Sequence, residues 1–140
     1  MQTLGCPNKG LLLHNEERKH MQHIPKSLAR RIPIAPEFTI LEYGSLGDTL
    51  SNGTIAEVHG RYPLKGWGRN LECDELVYVI SGSGAIEAPQ SRIELNAGDV
   101  ALIPKGQPIA WNGNNLVVFI PCIPAWTAEQ HEFINTEPTH

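Results

Sequence analysis

The sequence predicts an all-β fold, an antiparallel barrel or double-sheet jelly roll with little helix. Thirteen glycines and eleven prolines in 140 residues favour short strands joined by turns over long helices. The apolar segments are short, and turn-forming residues separate them. We expect about eight strands, because closing them into a barrel removes exposed strand edges.

Composition and charge narrow the classes of partner. The chain is 41% apolar and 19% charged, with a net charge of -4. This charge gives no electrostatic reason to expect nucleic acid or an anionic membrane. No segment approaches the roughly 18 consecutive apolar residues of a membrane span, and three leucines at 11–13 are too few for a signal peptide. We therefore expect a cytoplasmic protein whose partner is a small molecule.

The length suits a single domain with one core. We place a flexible or loosely docked arm at 1–24, the barrel at 25–126 and a C-terminal tail at 127–140. Three prolines between positions 25 and 36 discourage regular structure there. Three cysteines do not make a disulfide framework, and a reducing compartment opposes a bond between Cys73 and Cys122.

Taken in order, the apolar segments place each strand. A turn region over 44–53 ends in Asn52-Gly53, and a loop follows at 63–68. Further turns are expected over 81–84, 96–99, 104–106 and 112–113, each of them rich in glycine, proline or asparagine. The expected strands cover 38–43, 54–62, 76–80, 85–88, 93–95, 100–103, 109–111 and 116–120.

The strand at 76–80 is apolar on both faces, so each face needs a cover. Glu75 lies at its start, and the alternation of side chains puts Cys73 on the same face. The opposite face carries an apolar stripe of Leu76, Tyr78 and Ile80. Either the N-terminal segment or a second subunit covers this stripe.

Two sets of spacings resemble the motifs of the cupin family over residues 38–124. Glu75 and Gly82 keep the glutamate-to-glycine spacing of the first cupin motif. Gly98, Pro104 and Gly106 keep the glycine, proline and glycine of the second. The resemblance implies a double-stranded β-helix with a metal held by three histidines and one glutamate. Because cupins commonly dimerise, it also favours a homodimer whose second subunit covers the stripe of Leu76, Tyr78 and Ile80.

The histidine positions of those motifs hold other residues here. In the second motif, Ile109 takes the histidine position. In the first, the two positions fall on Leu71 or Asn70 and on Arg69 or Gly68. Because only Glu75 remains of the usual ligands, we favour no cofactor. The alternative is a divalent transition metal held by Cys73, Glu75 and His59.

Without a metal, Glu75 becomes the candidate catalytic group. By strand parity Leu71, Cys73 and Glu75 point together, with Ile109 and Trp111 facing them. Such surroundings raise the pKa of a carboxyl and suit it to general acid–base work.

Other residues are expected to complete the site. Tyr62 is expected to share the proton transfer. The loop cations Arg61 and Arg69 are the candidates to bind an acidic group of the ligand, and the alternative, which we favour, is a solvated loop without that role. Cys73, Ile109 and Trp111 are expected to line the pocket. The structural alternative pairs Glu75 with Arg61 or Arg69 at the barrel mouth.

The sequence therefore favours a small cupin with a small-molecule pocket. Its activity would be metal-independent, isomerase-like acid–base chemistry on a small polar or sugar-like metabolite. The first alternative is a ligand-binding or sensor protein without chemistry. The others are a metal-dependent cupin and a purely structural barrel.

Overall fold

Antiparallel strands dominate the computed structural model, which describes residues 21, 23–43 and 52–135. Two short 3-10 helices, Lys26–Leu28 and Ala128–Gln130, accompany the strands of the described part. The strands are β1 (Arg30–Ala35), β2 (Phe38–Tyr43), β3 (Asn52–Tyr62), β4 (Trp67–Asn70), β5 (Asp74–Ala88), β6 (Ser91–Asn96), β7 (Val100–Ile103), β8 (Ala110–Ile123) and β9 (His131–Ile134). The prediction of an all-β fold with little helix is confirmed.

The strands form one large sheet and one small one. The large sheet runs in the order β1-β2-β3-β8-β5-β6, and β7 also pairs with β5. The small sheet pairs β4 with β9. Gly68 of β4 and Ile109 exchange backbone hydrogen bonds of 2.8 Å in both directions, which ties the small sheet to the chain entering β8.

Two expected hairpins are in fact single long strands. β5 continues through the glycines at 82 and 84, and β8 continues through Asn112-Gly113. Gly82 has a φ of +76°, and a Cβ on it would collide with the carbonyl oxygen of Asn115. Here glycine serves a β-bulge with close backbone approach and not a chain reversal. The two strands pair with each other along most of their length.

Three strands were not expected from the sequence. β1 forms despite Pro33 because, among the described strands, it pairs with β2 alone, and proline is tolerated on an edge strand. β4 begins inside the expected loop at 63–68. β9 lies within the segment set apart as a tail at 127–140. Most of the expected arm at 1–24, and 44–51 of the expected turn, fall outside the described residues, and Asn52-Gly53 lies in β3.

The core lies on the inner face of the large sheet. Its largest fully buried side chains are Leu95, Leu116, Val58, Val77, Val79, Val118, Cys73 and Cys122. Leu76, Tyr78 and Ile80 point away from it and are 44%, 45% and 44% exposed, as expected from strand parity. The homodimer that would cover this stripe stays a prediction. No helix of the described ranges is long and apolar enough to span a membrane.

Candidate active site

A cavity of about 250 Å³ opens between the two sheets. This volume lies just below the range of roughly 300–1,000 Å³ that is typical of drug-sized ligands, so it suits a small metabolite. Most of its lining is apolar. The polar side chains that reach it are those of Thr54, Tyr62, Asn70, Glu75, Gln107 and His131.

Glu75 provides the carboxyl group of this cavity. The second residue of β5, it pairs with Ile103 of β7 on one side and with Cys122 of β8 on the other. Neighbouring strands therefore hold its backbone on both sides while its side chain projects into the cavity. Burial disfavours the charged carboxylate and raises the pKa of Glu75 to about 7. At neutral pH this group can both donate and accept a proton.

An aromatic wall faces the interior. Phe38 and Tyr62 stack with ring centroids 4.4 Å apart, and Trp111 lies 6.5 Å from Phe38. Phe133 meets Tyr62 edge-on at 6.2 Å. Burial raises the pKa of Tyr62, so its hydroxyl stays protonated at neutral pH. The structure thus brings Tyr62, Trp111 and Ile109 to the same cavity as Glu75, as expected from the sequence.

The two buried thiols of the cavity are protonated and unbridged. Cys73 Sγ lies 2.9 Å from the Pro124 carbonyl oxygen and 3.2 Å from Gln130 Oε1, the two acceptors that its single S–H can reach. Burial raises the pKa of Cys73, and burial together with the nearby Glu75 charge raises the pKa of Cys122 to about 12. Neither thiol is therefore an activated nucleophile. They act as small packing residues of the cavity wall.

The prediction that Leu71 shares the inner face with Glu75 is wrong. Asn70 Oδ1 accepts backbone hydrogen bonds of 2.7 Å from both Glu72 and Cys73, which makes a turn between β4 and β5. This turn breaks the alternation of side chains and leaves Leu71 44% exposed. Asn70, 6% exposed, faces the cavity instead.

Arg61 and Arg69 do not line the cavity. Arg61 donates to Glu87 at 3.1 Å, and also to three carbonyl oxygens of the loop that follows β3, while its guanidinium lies 5.1 Å from the Trp67 ring. Arg69 donates to Glu132 at 2.7 Å. Both cations are occupied by other partners, so neither provides the ion pair considered for Glu75 as a structural alternative.

The residues that line this cavity do not fit the metal site that the cupin resemblance implies. Gly68, Asn70 and Ile109 occupy the histidine positions and all face the cavity. The His59 side chain is exposed on β3, with Nδ1 3.0 Å from Asn115 Oδ1, so it does not join Cys73 and Glu75. Within 21, 23–43 and 52–135, no three His, Cys, Asp or Glu side chains are grouped to hold a metal ion.

His131 also belongs to the cavity, although no pattern in the sequence predicted it. It opens β9, lines the cavity and packs edge-on against Phe133 with centroids 4.7 Å apart. Burial lowers the pKa of His131, which keeps its imidazole neutral at neutral pH. No local signal marks this residue, because its position depends on pairing with a strand more than sixty positions earlier.

Comparisons with known proteins agree on the fold. Residues 66–118 match the family model of the EutQ-like cupin domain. No curated protein matches the chain.

Three solved structures illustrate the likeness. Pac13, a Streptomyces nucleoside dehydratase, shares 16% identity with a TM-score of 0.72, covering 83% of this chain and 92% of its own. The polyketide cyclase RemF of Streptomyces resistomycificus shares 18% identity with a TM-score of 0.65, and the match covers 86% of this chain and 88% of RemF. EutQ of Clostridium difficile shares 23% identity with a TM-score of 0.55, and the match covers 69% of this chain and 70% of EutQ. Identities this low show the fold alone, and that fold is the cupin fold.

Proposed function

We propose that this cupin-fold protein is a metal-independent enzyme that moves protons on a small cyclic metabolite, with Glu75 as the general acid–base. The observation that carries the proposal is the Glu75 carboxyl itself. It lies in a mainly apolar cavity, and burial brings its pKa to about 7. A general acid–base works best when its pKa lies near the operating pH.

The chemistry of Glu75 follows from its two protonation states. As a carboxylate it removes a proton from a carbon or hydroxyl of the substrate. As a carboxylic acid it returns a proton to the carbon or oxygen that has gained electron density. An isomerisation or an elimination of water can be assembled from these two transfers, and neither requires a second reactant.

The shape of the cavity favours a ring-containing substrate. Phe38, Tyr62 and Trp111 offer flat apolar surfaces, and the Tyr62 hydroxyl offers a hydrogen bond. Pac13, with the same fold, is a nucleoside dehydratase, and its variants have been solved with uridine. Nucleosides and monosaccharides are therefore the substrate classes to test first.

The test begins with the purified chain in D₂O. Uridine and a panel of monosaccharides, uronates and keto-sugars are incubated with the protein and followed by ¹H NMR. Deuterium entering a substrate carbon, or loss of substrate, reports proton transfer whatever the product is. We expect Glu75→Gln to reduce this rate by about 10²–10⁴-fold, the usual contribution of a positioned acid–base group.

The matched control is Glu72→Gln. Glu72 is exposed, lies three residues earlier and does not line the cavity, so its variant should keep the full rate. Undiminished exchange in Glu75→Gln would refute the proposal. Saturable binding of a panel compound, unchanged in Glu75→Gln and without exchange or turnover in the native protein, would favour the ligand-binding alternative.

A further inference from the structure

The space that a side chain at position 68 would need is filled by His131. A Cβ built on Gly68 would lie 2.8 Å from Nε2 and 3.1 Å from Cε1 of His131. Gly68 itself is buried and faces the cavity. The imidazole of His131 therefore fills the space beside β4 that Gly68, which has no side chain, leaves open.

The backbone of β9 fixes the imidazole in this place. β9 runs antiparallel to β4, with Asn70 opposite His131 and Gly68 opposite Phe133. β4 is in turn held to Ile109 by two backbone hydrogen bonds. The Phe133 ring stands at 75° to the imidazole and supports it from one side. The ring is therefore positioned by strand pairing and packing.

We propose that His131 is a second catalytic residue of the cavity, supplied by the C-terminal strand in the place left open by Gly68. This inference rests on the proposed function and names a group that contacts the same substrate. Glu75 approaches the cavity from β5 and His131 from β9, so the two groups belong to different walls.

The two groups suit opposite halves of one proton transfer. The neutral imidazole accepts a proton from a substrate C–H or O–H and becomes imidazolium. The Glu75 carboxylic acid delivers a proton to the oxygen or carbon that receives the electron pair and becomes carboxylate. Exchange with solvent returns both groups to their starting states, so no oxidant or further reactant is needed.

The first experiment uses the exchange assay and whichever panel compound the native protein turns over. We expect His131→Ala to lower kcat by about 100-fold or more. Placing the histidine on β4 instead of β9, in the double variant Gly68→His/His131→Ala, should restore part of the rate. Glu132→Gln, on the same strand but outside the cavity, is the control and should keep the native rate.

Two outcomes distinguish a failure of the inference about His131 from a failure of the proposed function. Full turnover in His131→Ala, with Glu75→Gln inactive, would overturn the role of His131 alone. Full turnover in Glu75→Gln would instead overturn the proposed function.

The placement of His131 has a test that needs no substrate. Gly68→Ala adds a methyl group against the imidazole, so it should lower the Tm of the otherwise native chain. In the His131→Ala background the same change should lower the Tm clearly less, because the space is then free. Equal losses in the two backgrounds would show that His131 does not fill the space beside Gly68 and would overturn the inference.

Discussion

Glu75 and Glu87 lie on the same strand, β5, yet their surroundings shift the pKa values of the two carboxyls in opposite directions. Glu87 accepts hydrogen bonds from Asn112 at 3.0 Å, Arg61 at 3.1 Å and Arg92 at 2.5 Å. The Asn112 hydrogen bond and the two cations lower its pKa. Glu75 projects into the cavity, where burial raises its pKa to about 7.

The difference separates a carboxylate that supports the fold from one that is available for chemistry. The partners of Glu87 stabilise its charge, so that end of β5 gains stability from ionisation. The surroundings of Glu75 oppose its charge, so the fold loses stability when it ionises. Groups whose ionisation costs stability are concentrated at functional sites, which supports the assignment of Glu75.

The largest effect on stability is expected at Arg61, which holds Glu87 and the loop after β3. Arg61→Met removes the cation from Glu87 and leaves the carbonyls of Pro63, Leu64 and Gly66 without their donor. We expect the free energy of unfolding to fall by about 2–4 kcal/mol, since hydrogen bonds from charged donors contribute more than neutral ones. Urea unfolding measures this. A loss below about 1 kcal/mol, the net value of a single neutral hydrogen bond, would mean that Arg61 does not organise the loop.

The next largest effect is an increase in the free energy of unfolding, expected when Glu75 is replaced by glutamine. Its folded pKa is raised from 4.5 to about 7, so the native state binds more protons than the unfolded state between these values. The stability linked to Glu75 is present below pH 4.5 and is lost as pH rises through about 7. Glu75→Gln should therefore match the native protein near pH 4.5 and exceed it by roughly 1–3 kcal/mol at about pH 8.

Chemical unfolding of the two chains at several pH values between about 4.5 and 8 gives this difference. An advantage of the glutamine variant that shrinks as pH rises would contradict the burial of the Glu75 carboxylate. The control is Glu72→Gln, at an exposed position outside the cavity.

Glu87 should show the reverse pH dependence with a smaller amplitude. Its pKa is lowered, so its contribution to stability is present above the unfolded pKa and is lost as pH falls through the folded one. Glu87→Gln should cost about 1–2 kcal/mol at about pH 7, and less in acid. The measurement is the same unfolding series. A cost that stays constant down to the acid limit would mean that the carboxylate charge is not involved.

The smallest effect is expected for the surface pair of Arg69 and Glu132. Both side chains are well exposed, at 34% and 45%. Arg69→Gln should change the free energy of unfolding by at most about 1 kcal/mol, the usual value for an exposed ion pair. Ligand binding followed by NMR should stay unchanged. A clear loss of binding would restore the role in ligand recognition that the sequence suggested.

Much of the fold could be predicted because it depends on short segments. The apolar stretches and the turns at 96–99 and 104–106 are local, and Asp99 and Pro104 each accept a backbone hydrogen bond within their turn. The cupin resemblance rested on the glycine and proline spacings of these turns and on the spacing of Glu75 and Gly82, and it is confirmed. Gly82 was misread because a glycine in a turn and one in a β-bulge look alike in sequence. Only the approach of β8 distinguishes them.

The candidate site, like the fold, was predictable from the sequence only where it depends on short stretches of chain. Local patterns were enough to put Glu75 at the start of its strand, to give it the apolar neighbours Ile109 and Trp111, and to reveal that the metal-binding histidines are replaced. Side-chain alternation and motif spacing are properties of short stretches of chain. Long-range packing was needed to show that Asn70 and not Leu71 faces the cavity, that Arg61 pairs with Glu87, and that His131 lies beside Gly68. These contacts join residues on different elements, and their partners are set by strand pairing and packing that no local pattern encodes.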